Sequence, residues 1–183
     1  MYGMSAQLQG LAFHGVPLTA DFELDEAAML AAIERHRPAI VYLAYPNNPT
    51  GTLWDAAVIA RLIAAQGAQG GLVVMDEAYQ PFAARSWIEN ARAAPAQHRH
   101  VLIMRTLSKF GLAGVRLGYL CGHAALIDEV DKVRPPYNIS VLNAECALFA
   151  LEHESVFAAQ AQDIRAERAA LLEALAQMPG VRA

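Results

Sequence analysis

The chain has 183 residues, of which 55% are hydrophobic and 17% charged, and a formal net charge of −4. Such a composition supplies a substantial core and excludes global disorder, and its scattered Lys and Arg leave no basic footprint for nucleic acid. No stretch approaches the roughly 18 apolar residues a membrane span needs, and the first residues lack the layout of a signal peptide, so a cytoplasmic protein is expected. Strand-length apolar runs alternate with helical patterns, which argues for a βα succession and a mostly parallel sheet. Leu11 to Val16 reads as a first strand, ended by Pro17. Asp25 to Arg37 reads as a helix in which Asp25 can cap and Ala28, Leu30 and Ile33 mark a buried stripe. Ile40 to Ala44 is a buried strand that runs into a Pro/Asn/Gly turn, and Asp55 starts a helix through Ile59, Leu62 and Ile63 that stops at Gly67 to Gly71. Leu72 to Met75 is a short strand delivering Asp76, Val101 to Met104 another delivering Thr106 to Lys109, and Leu117 to Cys121 the last. Leu126 to Val133 is helical and stops at Pro135-Pro136; helices from Val141 to about His153 and from Ser155 to about Met178 follow.

Open α/β sheets bind ligands beyond the carboxyl ends of their strands, and there the sequence concentrates its chemistry. The run Thr106-Leu107-Ser108-Lys109-Phe110-Gly111-Leu112-Ala113-Gly114-Val115-Arg116 places one lysine between small hydroxyl residues, with an arginine shortly after. That grouping suits a lysine that joins an aldehyde cofactor as an imine while the hydroxyls and the arginine hold a phosphate. A lysine is otherwise most often a solvated surface group. Asp76 at a strand end could equally cap a helix, and Asn48-Pro49-Thr50-Gly51 could be turn chemistry alone. Cys121 and Cys146, the only cysteines, sit in apolar sequence and are expected to be buried free thiols. The six histidines have no ligand spacing, so no metal site is expected. Neither a Gly-x-x-x-x-Gly-Lys loop nor a Gly-x-Gly-x-x-Gly run supports a nucleotide.

Asn47-Asn48-Pro49-Thr50-Gly51, Asp76-Glu77-Ala78-Tyr79 and Ser108-Lys109 with Arg116, in that order, resemble the fold type I pyridoxal-phosphate aminotransferases. Among these the histidinol-phosphate branch is favoured by Arg134-Pro135-Pro136-Tyr137-Asn138. The resemblance implies an α/β large domain, a mostly parallel sheet flanked by helices, truncated at both ends. Residues 1–133 would form part of the cofactor-binding domain, and residues 134–183 a hinge and helices leading to a small domain. Lys109 would be the catalytic lysine and pyridoxal 5'-phosphate the cofactor. Asp76 would face the ring nitrogen, Asn48 and Tyr79 the phenolic oxygen, and Thr106, Ser108 and Arg116 the phosphate. Ala78 would pack on the ring, and Glu77 would be structural. The commoner family spacing has one more residue between the lysine and the arginine.

The family resemblance also implies transamination between L-histidinol phosphate and 2-oxoglutarate in a homodimer. Other class I/II aminotransferases, amino-acid-phosphate decarboxylases and the effector domain of a transcription regulator share the cofactor set. On this alignment Met1 is internal, the ring-stacking aromatic residue lies before it, and the arginine for the substrate carboxylate lies beyond Ala183. The chain alone is therefore expected to have little or no activity.

Overall fold

The computed structural model describes residues 1–181, so Arg182 and Ala183, which end the expected entry to a small domain, lie outside the described residues. Helix α1 (Tyr2–Leu8) is followed by α2 (Glu26–His36), strand β1 (Ile40–Ala44), α3 (Ala56–Ala68) and β2 (Leu72–Asp76). Then come α4 (Trp87–Ala93), β3 (Val101–Thr106), β4 (Gly118–Cys121), α5 (Ala124–Asp131), α6 (Val141–Glu152) and α7 (Glu154–Ala176). The strands form one four-stranded sheet in the order β1-β2-β3-β4. The first three are parallel and β4 is antiparallel to β3, as expected of a mostly parallel sheet with helical crossovers.

Successive side chains of a strand point to opposite faces, and the register turns this into two distinct surfaces. Val41 and Leu43 of β1, Val73 and Met75 of β2, and Val101 and Ile103 of β3 share one face and the main core. Against them pack Ile33 of α2, Ile59, Leu62 and Ile63 of α3, and Trp87 of α4. The other face carries Tyr42, Val74, Asp76 and Met104. Helix starts follow local chemistry: Asp25 accepts from the Ala28 amide, Asp55 from those of Ala57 and Val58, and Ser86 from that of Ile88. At the start of β4, a side chain on Gly118 would come within 2.8 Å of the Arg105 carbonyl, so only glycine allows this approach.

Two expectations are corrected here. Leu11 to Val16 is not a strand: it carries no regular structure and is largely exposed. An apolar run becomes a strand only when a neighbouring strand takes its backbone hydrogen bonds; among the described residues no strand pairs with it, and the Leu11 amide turns back to the Ala6 carbonyl of α1 (2.9 Å). The cysteines are free but not buried thiols, because Cys146 is exposed on α6 and Cys121 half-buried on the edge strand β4. Helices α1 and α4 are additions that the apolar pattern did not announce.

The Leu62 side chain is fully buried, so Leu62→Ala is expected to destabilise the fold by about 2–5 kcal/mol. Asp55→Ala is expected to cost about 1 kcal/mol through its lost helix cap, with Asp55→Asn nearly neutral. Urea unfolding followed by circular dichroism measures all three.

Candidate functional site

Three segments converge at the carboxyl ends of β1, β2 and β3. Beyond β1 the turn is closed by bonds from the Gly51 amide to the Asn47 carbonyl (2.8 Å) and from the Asn47 amide to the Thr52 carbonyl (2.9 Å). Gly51 has φ +72°, which suits glycine. The side chain of Asn47 serves the turn by donating to Thr50 Oγ1 (2.8 Å), whereas Asn48 Nδ2 donates across to the Tyr79 hydroxyl at 3.3 Å. The turn chemistry therefore belongs to Asn47, and Asn48 is aimed outward by it.

Asp76 closes β2 on the face away from the main core. Its Oδ1 accepts from the Ala78 amide (3.0 Å), and its Oδ2 accepts from the Tyr2 hydroxyl (2.5 Å). The first bond shapes a turn that carries Tyr79 back over the strand ends, and no α-helix starts at Asp76. Lys109 ends a short helical turn, Leu107–Lys109, directly after β3. Its Nζ lies 5.1 Å from the centre of the Tyr79 ring, so Asn48, Tyr79 and Lys109 form one group, with Asp76 at the adjacent end of β2, three residues before Tyr79.

The loop from Lys109 to Arg116 reverses at Gly111, whose φ is +96°. Arg116 has φ +52°, a left-handed conformation unusual for a side-chain-bearing residue and of order 1–3 kcal/mol in strain. From there Nη1 donates to Ser108 Oγ (3.2 Å) and to the Ala113 carbonyl (3.1 Å), so the short spacing still brings Arg116 back to Ser108. Thr106 braces the loop itself, accepting from the Ser108 amide (3.1 Å) and donating to the Leu117 carbonyl (3.4 Å). Asn143 of α6 donates to the Val115 carbonyl (2.8 Å) and docks that helix on the same loop.

The sequence reading missed Tyr2. Its ring stacks on Tyr42 with centres 4.6 Å apart while its hydroxyl reaches Asp76. The only signal was an aromatic residue beside a glycine at the start of the chain. It also left Arg105 out, although Arg105 bonds the buried Glu77. A separate cavity of about 630 Å³ opens where Arg105, Thr106 and Tyr119 meet Leu151 and Arg165. Neither Asp76 nor Lys109 lines it.

The model of the family described as aminotransferase class I and II matches residues 1–182. The chain belongs to the class I and II aminotransferases. It is 76% identical over 181 residues to the histidinol-phosphate aminotransferase of Acidovorax sp. (strain JS42), covering 99% of this chain and 49% of that protein. The corresponding enzyme of Methylibium petroleiphilum is 70% identical over 180 residues, with 98% and 47% covered. The crystal structure of histidinol-phosphate aminotransferase from Sinorhizobium meliloti, in complex with pyridoxal-5'-phosphate, superposes with a TM-score of 0.80. It is 28% identical, over 96% of this chain and 47% of that one. The aminotransferase chain thus spans about half the length of the curated relatives it matches. Among the described residues, no helix is long and apolar enough to cross a membrane.

Burial first, and then the bond to the Asp76 carboxylate, push the Tyr2 phenol well above its ordinary value. Below about pH 10 both folded and unfolded chains keep this proton; above it the unfolded chain loses the proton and the folded chain retains it. Stability is therefore expected to fall as the pH rises past about 10. Tyr2→Phe should make that alkaline decline shallower in urea midpoints recorded against pH.

Proposed function

We propose that the protein carrying this chain is a histidinol-phosphate aminotransferase, exchanging an amino group between L-histidinol phosphate and 2-oxoglutarate with pyridoxal 5'-phosphate as cofactor. The single observation that carries the reading is the convergence of Asn48, Asp76, Tyr79 and Lys109 at three adjacent strand ends. The 70–76% identity to histidinol-phosphate aminotransferases supports the choice of substrate.

The donor set fits this cofactor in kind. A strand-end carboxylate, a pair of hydrogen-bonding groups, an amine, and a hydroxyl beside a guanidinium match a pyridinium nitrogen, a phenolic oxygen, an aldehyde and a phosphate. When bound, pyridoxal phosphate supplies the electron sink that lets an amino acid's Cα–H bond ionise. Asp76 keeps a proton on the ring nitrogen. Asn48 and Tyr79 share the phenolic oxygen through the groups they now offer each other. Ser108 and Arg116 hold the phosphate, with Thr106 bracing the loop beneath and adding its hydroxyl. Lys109 Nζ would hold the cofactor's aldehyde and would serve as general base toward the substrate's α-proton.

Residues 1–133 are assigned to the cofactor-binding domain and residues 134–183 to a hinge and helices leading onward. Support for the hinge comes from the stretch between α5 and α6, where Tyr137 has φ +58° and is 98% exposed. A homodimer is part of this reading. It is supported by the exposed apolar side chains of α6, Val141, Leu142 and Phe149 among them.

Addition of pyridoxal phosphate to the full-length protein is expected to give a visible absorbance band that Lys109→Ala abolishes. Borohydride should fix the cofactor to Lys109, as peptide mass spectrometry would show. Lys109→Ala should lower kcat by at least about 10²–10⁴-fold, the usual contribution of a positioned acid or base. Asp76→Asn should lower kcat while leaving the phosphate contacts. Turnover of L-histidinol phosphate that survives Lys109→Ala would defeat the assignment, and efficient turnover of aromatic amino acids alone would move the substrate elsewhere in the class.

A further inference from the structure

Glu77 is a buried carboxylate that the proposed chemistry does not use. It is 1% exposed, and the pleat turns it to the face opposite Asp76, against the start of α4. Its Oε2 accepts from Arg105 Nε (2.9 Å), Arg105 Nη2 (2.8 Å) and Ser86 Oγ (2.9 Å). Its Oε1 accepts from the Trp87 amide (2.5 Å) and shares the one Ser86 hydroxyl proton with Oε2, at 3.0 Å. Arg105 Nη2 also donates to Ser86 Oγ (2.7 Å), so no oxygen of the carboxylate is left without a donor. The Glu77 amide meanwhile donates to the Met104 carbonyl at 2.8 Å.

These bonds join neighbours of the site's two halves. Glu77 directly follows Asp76 and lies two residues before Tyr79. Arg105 directly precedes Thr106 and leads into Ser108 and Lys109. The carbonyl of Arg105 faces Gly118, where β4 enters the sheet, and Tyr119 is its partner in register. Arg105 brings two N–H groups of its planar fork onto the one oxygen Oε2 and a further one onto Ser86 Oγ, a directional grip that a single point charge does not give. A cofactor gripped through its ring by one strand end and through its phosphate and aldehyde by the next depends on the offset between them.

Resting on the aminotransferase reading, we propose that Glu77 and Arg105 are positioning residues, a buried clamp that sets the distance between Asp76 and Tyr79 on one side and Ser108, Lys109 and Arg116 on the other. Neither touches the cofactor, and both act through the strand ends they join. Loosening the clamp should misplace the cofactor relative to Lys109 while leaving the substrate-binding parts of the protein alone. Misplacement by about 1 Å can lower a rate by about a hundred-fold.

The test compares the full-length protein with Glu77→Gln, Arg105→Lys and Arg105→Met, using pyridoxal phosphate itself as the probe. Glu77→Gln and Arg105→Met are expected to weaken cofactor binding, to shift the position of the lysine-linked absorbance band, and to lower kcat by up to about a hundred-fold. KM for the amino substrate should stay near that of the unsubstituted protein. Arg105→Lys, which keeps the charge and loses the fork, should recover only part of the loss. Lowered thermal stability with unchanged band, cofactor affinity and kcat would overturn the positioning role and leave the pair structural. A protein without substitutions that shows no band at all would instead overturn the aminotransferase reading, so the two failures are told apart.

Discussion

Backbone register between β1, β2 and β3 governs this molecule. Ala44 stands opposite Asp76, and Asp76 opposite Met104, so three chain reversals occur side by side at one end of the sheet. A slip of one residue in a strand moves every side chain to the other face. For β2 it would carry Asp76 to the core face beside Trp87, and take Val73 and Met75 out of the main core. The hydrophobic term thus fixes the polar site: burying Val73, Met75, Ile103 and Leu43 against α2, α3 and α4 leaves one register, and that register aims the carboxylate.

The site is held by two kinds of interaction with different exposure. On the covered face, Glu77, Arg105 and Ser86 form a closed polar network in which removal of any member leaves a buried group unmatched. On the open face, the Asn48–Tyr79 and Arg116–Ser108 bonds are water-exposed and exchangeable. A rigid underside with an adaptable upper side is a sound arrangement for gripping a ligand, since positioning improves when side chains rest on packed elements. The left-handed backbone at Arg116 fits this view. Its strain is offset by the bonds that close the loop from Thr106 to Leu117, and it returns a guanidinium toward the lysine within a short span.

Much of this was legible in the order of residues, because the signals are local. Asp25 and Asp55 announce helices through a side chain and an amide three residues away or fewer. The strands from Ile40 onward are apolar runs bounded by turn formers, and Gly111 and Gly51 mark reversals that few other residues could make. The run from Thr106 to Arg116 holds its lysine, hydroxyls and arginine within one loop, so the groups that meet there could be named before the loop's shape was known. Leu11 to Val16 failed the same logic, since an apolar run carries no information about whether a partner strand lies beside it.

Relations between distant parts of the chain were decided by the tertiary structure. Nothing in the residues near Tyr2 points to Asp76, 74 positions later, and nothing near Glu77 points to Arg105, 28 positions on. Exposure of Cys146 likewise depends on which side of α6 another element covers. Local order names the chemical groups and the turns that present them, because those depend on bonds within a few residues. Which groups meet depends on strand register and helix packing, and these follow from burying the whole apolar set at once.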